Sequence, residues 1–133
     1  MDWSSQTAPS LDDFEELAAR AFESLPEEFR ALTGDVVFIV QDFPAEDVIR
    51  DMELDSEFEI LGLFQGPELS DRVANRGHPD PTMVLLYRRP ILDYWAEHEE
   101  MLGDMVRHVL VHEIGHHFGL SDEQMDAIEG AAE

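Results

Sequence analysis

His112-Glu113-Ile114-Gly115-His116-His117-Phe118-Gly119-Leu120-Ser121-Asp122 is the stretch from which the rest of the chain is best read. Residues four apart on a helix share a face, so His112 and His116 present two imidazoles one turn apart, with the Glu113 carboxylate on their flank. Both rings can reach one metal ion, and the carboxylate can reach a water beside it. A helix that must stop sharply after its second ligand needs a residue tolerant of left-handed backbone, which is the place of Gly119. Three residues later Asp122 can approach from a non-helical direction as third ligand, leaving one tetrahedral corner open for water. Asp122 with Ser121 also reads as the N-cap of a terminal helix from Glu123 to Glu129, and the two roles can coexist through different oxygens.

The helix carrying this stretch is expected from Glu99 to Phe118, the longest in the chain. Val106, Val109, Leu110, Val111, Ile114 and Phe118 spread over nearly the whole wheel, which implies a central, buried helix. His112 and His116 straddle the stripe occupied earlier by Met101 and Met105, so they should point into a cleft with an apolar floor. Imidazoles buried there without partners would cost on the order of 1 to 3 kcal/mol, and a metal satisfies them. Glu113 is the candidate general base for a metal-activated water, against the alternative of a solvated or Arg-paired helical Glu. His117 lies well round the wheel and suits packing or support of the ligands. His108, one turn before His112, is a substitute ligand should Asp122 not serve, although three histidines in series on a straight helix do not readily surround a tetrahedral ion. His98 and His78 carry no spacing argument.

Outward from this helix, Ser10 caps an amphipathic helix with Leu11, Phe14, Leu17, Ala18, Ala21, Phe22 and Leu25 on its apolar face. Pro26 can open a short helical piece through Leu32, and Thr33-Gly34-Asp35 turns into Val36-Val37-Phe38-Ile39-Val40, whose continuous β-branched run predicts a buried strand. Pro44 to Glu53 reads as a helical connection, Glu57 to Phe64 as a second strand, and Gln65 to Pro81 as the longest loop. Thr82 to Arg88 is a third strand, after which Pro90 permits a helix from Ile91.

Composition narrows the chemistry. The chain of 133 residues fits one domain with a real core, taken as residues 1–133. Its 31 acids against 8 basic residues, all Arg, give a formal charge of -23, which argues against nucleic acid or an anionic membrane as partner. The eight acids and one Arg between Asp42 and Glu59 read as a solvated face. With no Cys, any metal must be held by His and carboxylate, and thiolate nucleophiles and disulfides are excluded. No apolar run approaches a membrane span and the N-terminal residues lack a secretory pattern, so a cytoplasmic protein is expected.

The His112-Glu113-x-x-His116-x-x-Gly119-x-x-Asp122 pattern resembles the zincin metallopeptidases, in the form where an acid replaces the third His of the metzincins. Leu86-Tyr87-Arg88-Arg89-Pro90-Ile91 followed by Val109 to Leu120 is similar to a small bacterial family of zinc-dependent proteases described as minimal matrix-metalloprotease-like domains. The resemblance lies mainly in the C-terminal half. It implies an α+β, zincin-like fold, a small mixed sheet of about three to four strands packed on a central active-site helix. It also implies Zn2+ bound by His112, His116 and Asp122, with Glu113 as catalytic base. Metzincins carry a Met-containing turn well downstream of the third ligand, whereas eleven residues follow Asp122 here, so a deep, walled specificity pocket is not expected.

A zinc metallopeptidase acting on a peptide or protein substrate is therefore the leading expectation. If the Thr82 to Arg88 strand forms a sheet edge, it would pair with an extended peptide and present its carbonyl to the metal. Tyr87, Tyr94 or an Arg could stabilise the oxyanion, and spacing selects none of them. The rivals are a zinc-binding interaction or structural domain with little hydrolytic activity, and a metal-free acidic interaction domain. Retention of Glu113 favours the enzyme, since a structural site has no use for a base.

Overall fold

The computed structural model describes residues 3–65 and 82–132. Helix α1, Leu11–Glu23, starts at a capping box: the Ser10 hydroxyl accepts the Asp13 backbone N–H at 3.1 Å and the Asp13 carboxylate accepts the Ser10 N–H at 2.8 Å. Its buried face, Phe14, Ala18 and Ala21, enters the main core. The short α2, Glu27–Arg30, follows Pro26, and the chain turns at Gly34 into strand β1, Val36–Gln41. Helix α3, Glu46–Asp51, lies within the expected Pro44 to Glu53 connection.

Strands β2, Gly62–Gln65, and β3, Thr82–Tyr87, complete a three-stranded sheet of order β1-β3-β2. β3 runs parallel to β1, with Phe38 opposite Val84, and antiparallel to β2, with Phe64 opposite the same Val84. β3 is thus the central strand, which corrects its expected use as an open edge. Its apolar run is what two covered faces demand. Val84 and Leu86 enter the main core, while Leu85 and Tyr87 turn to the other face with Ile60, under Leu54 and Ile39.

β1, expected to be buried, lies instead at an edge of the described sheet, and its Val37 is 48% exposed. β2 begins five residues later than Glu57 because local side chains capture the backbone first. The Glu59 carboxylate accepts the Asp55 N–H at 3.0 Å and the Ser56 hydroxyl accepts the Phe58 N–H at 3.1 Å, which holds this segment in turns. The expected loop from Gln65 to Pro81 falls, beyond Gln65, outside the described residues.

Helix α4, Arg88–Glu97, leaves β3 directly, with Pro90 in its first turn where the missing N–H is harmless. Helix α5, Leu102–His117, is the long central helix, and Met105, Val106, Val109, Leu110, Val111, Ile114 and Gly115 are buried along it. Met101, expected on the ligand stripe with Met105, precedes the helix and is 76% exposed. Gly62 lets β2 sit close to α5: a Cβ there would lie 2.8 Å from Val109 Cγ1. Helix α6, Asp122–Gly130, packs back along α5. Among the described residues no helix is long and apolar enough to cross a membrane. The architecture is α+β: a small mixed sheet with helices, α5 at the centre.

Candidate metal centre

The reversal between α5 and α6 builds the site. Gly119 stands at φ +74°, its N–H bonds to the His116 carbonyl at 3.1 Å, and the Leu120 N–H reaches the Gly115 carbonyl at 2.9 Å. This pair of bonds is a Schellman stop, and it satisfies carbonyls that the helix end would otherwise leave open. The chain re-enters helix at Ser121, whose hydroxyl accepts the Gln124 N–H at 3.1 Å while the Gln124 side chain accepts the Ser121 N–H at 2.8 Å. Ser121 alone is therefore the N-cap. Asp122 is the first helical residue, and its carboxylate is not used in capping.

α6 then runs antiparallel to α5, as three pairs of neighbours show: His116 with Asp122, Gly115 with Met125, and His108 with Glu129. Met125 is fully buried, with its sulfur 2.5 Å from where a Cβ on Gly115 would stand. The bare backbone at Gly115 is what allows α6 to lie close to the histidine face. A glycine in mid-helix is disfavoured by about 1 kcal/mol relative to Ala, so its presence was a signal of such packing.

On the shared face, ligand atoms of His112, His116 and Asp122 all lie within 4.8 Å of one another. Two imidazole nitrogens and a carboxylate oxygen are the donor set that suits zinc in a chain without Cys. His112 Nε2 is buried and has no hydrogen-bond partner among the described residues. Burial, and then the neighbouring His108, hold the His112 pKa below its usual 6.5, which favours the neutral form that ligates a metal. These residues thus fit a divalent ion.

Glu113, the residue after His112, stands against β2, where the Phe64 backbone N–H bonds to its carboxylate. Burial dominates over that bond and raises its pKa from 4.5 to about 7. No ion pair to Glu113 exists among the described residues, so the Arg-paired alternative is absent there. A carboxyl poised near neutrality can both take and return a proton. His117 packs its ring 4.1 Å from Phe64 and 5.1 Å from Phe118, in the packing position its place on the wheel implied.

The other candidates separate. Tyr87 is fully buried and its hydroxyl has no partner among the described residues; burial, then the charge of Glu113, raise its pKa. Tyr94 stacks on His98 at 3.8 Å, and neither belongs to the metal-capable groups among the described residues. His78 lies outside the described residues.

One acid escaped the sequence reading. Glu129 sits on α6 with its carboxylate 2.9 Å from His108 Nδ1 and 3.2 Å from His112 Nε2. It lies seven residues, or two turns, beyond Asp122 and so on the same helical face, a spacing that could have flagged it. His108 does not join His112, His116 and Asp122 but groups with Glu129.

Comparison with curated proteins gives no match. The family model for zincin-like metallopeptidases matches residues 33–132, a span that takes in the sheet, α5, the Gly119 reversal and α6. That match covers most of the chain, and the chain belongs to the zincin-like metallopeptidase family.

Proposed function

We propose that this chain is a zinc-dependent peptidase that hydrolyses peptide bonds in a peptide or protein substrate with a metal-activated water. The observation that carries the reading is the convergence of the His112, His116 and Asp122 donors on one helix-turn-helix face, next to a Glu113 carboxyl raised to about 7. His112, His116 and Asp122 would hold the ion. Zinc, when bound, supplies Lewis acidity to the substrate carbonyl and to a water.

Glu113 accepts the proton of the attacking water at its carboxylate and returns it to the leaving amine nitrogen. Its pKa near 7 serves both transfers at neutral pH. Partial burial beside β2 limits competition from bulk water. With β3 in the middle of the sheet, the proposed platform for an extended substrate moves to β2, which in the described residues pairs only with β3. The Phe64 N–H on β2 bonds to Glu113, which puts this strand beside the base and supports β2 as the platform.

Mass-spectrometric profiling of a diverse peptide library tests the proposal. Cleavage should appear with zinc-loaded protein, disappear with chelator and return on adding zinc. Absence of cleavage across the library by protein holding one zinc per chain would leave a zinc-binding interaction domain in its place.

A further inference from the structure

We propose that His108, His112 and Glu129 form a second cation site, distinct from the His112, His116 and Asp122 group and sharing His112 with it. The donor atoms of this second trio also lie within 4.8 Å of one another. Its separations are tighter than that bound: Glu129 Oε1 is 2.9 Å from His108 Nδ1 and 3.2 Å from His112 Nε2. Ligands on zinc bonds of 2.0–2.1 Å stand about 3.3 Å apart along a tetrahedral edge, so the separations of Glu129 from the two histidines suit a common ion.

An ordinary helix-to-helix hydrogen bond accounts for part of the arrangement only. His108 Nδ1 lies 3.2 Å from Glu129 Oε2 in hydrogen-bonding geometry, and that satisfies His108. His112 Nε2 and Glu129 Oε1 are both buried and lie 3.2 Å apart, and neither makes an aligned hydrogen bond among the described residues, Oε1 also lying 2.9 Å from His108 Nδ1. A cation held between these two atoms and His108 would satisfy both at once. The His108 and His112 rings, tilted by 36° with centroids 4.0 Å apart, present their edges to the same side of α5. The His108 side chain is 55% exposed, which opens this site to solvent.

A His112 nitrogen holds one ion, so the two sites exclude each other wherever they call on the same nitrogen. An ion can rest at either end of the histidine row but not at both through the same nitrogen. The chain therefore holds an alternative seat for a divalent transition metal, one turn from the first. This inference concerns metal binding alone and stands or falls independently of peptide cleavage.

The test is titration of the full-length chain with Zn2+ and Co2+, reading stoichiometry and, for Co2+, the visible absorption bands. A variant carrying His116→Ala and Asp122→Asn should still take up one ion per chain, with Co2+ bands differing from those of the wild type. Adding His108→Ala and Glu129→Gln to it should weaken that binding at least tenfold. Circular dichroism establishes that each variant is folded, and if the double variant does not fold, His116→Ala alone carries the same comparison. Loss of all metal binding in the His116 variants, or residual binding unchanged by the His108 and Glu129 substitutions, overturns the proposal. Failure of the wild type to cleave peptides, with this pattern intact, would count against the peptidase reading only.

Discussion

The side chain of Met125 occupies the space that a side chain at Gly115 would need, with the Met125 sulfur 2.5 Å from the position of such a Cβ. This contact sets how closely α6 approaches α5, and through it where Asp122 and Glu129 stand relative to the histidines. Gly115→Ala gains about 1 kcal/mol in helix propensity but overpacks a fully buried site, at about 1 to 3 kcal/mol. The expected outcome is a net loss of at most about 2 kcal/mol in chemical denaturation, with zinc affinity in a competition titration falling at least tenfold.

Gly119 has a different kind of constraint. Nothing lies within 4 Å of a Cβ built there, so any penalty comes from its φ of +74° alone. Gly119→Ala should cost about 1 to 2 kcal/mol, and Gly119→Asn less, because Asn tolerates left-handed backbone better. Equilibrium unfolding of the metal-free variants checks both values.

Ser121 and Asp122 are adjacent yet should respond oppositely. Ser121→Ala removes the N-cap of α6 and is expected to lower stability by about 1 kcal/mol with little change in zinc affinity. Asp122→Asn keeps the cap and removes a charged donor, so zinc affinity should fall by more than tenfold while metal-free stability barely moves. Paired denaturation and zinc titrations of the two variants separate the roles.

Glu113 gives a pH signature in chelator-treated protein. Its carboxyl titrates near 7 when folded against an ordinary 4.5, so between those values the folded chain binds more protons than the unfolded one. Stability from this group is present below about pH 4.5 and is lost as pH rises through about 7. Glu113→Gln cannot ionise, so it should be more stable than wild type at pH 8, and the difference should vanish near pH 4. Thermal melts across that range measure it.

Much of the candidate site was legible because the information is local. The i, i+4 spacing of His112 and His116, the stop at Gly119 and the re-entry at Ser121 follow from helix geometry and capping. The order of the strands was not local: a continuous apolar run such as Val84 to Tyr87 reads alike at an edge or in the centre. Only pairing with both β1 and β2 decides it. The late start of β2 reflects competition by Ser56 and Glu59 for backbone N–H groups, which alternation does not register. Glu129 was overlooked because its partners lie across a helix-helix contact, although its seven-residue offset from Asp122 put it on the same face.

In the proposed peptide hydrolysis Glu113 moves the proton while His112, His116 and Asp122 hold zinc. Turnover of a cleaved library peptide by wild type and Glu113→Gln, compared at equal zinc content, tests it most directly. One zinc per chain is expected in both, with a rate lower by about 10² to 10⁴ in the variant, the range expected for loss of a general base. Equal rates at equal zinc content would contradict it.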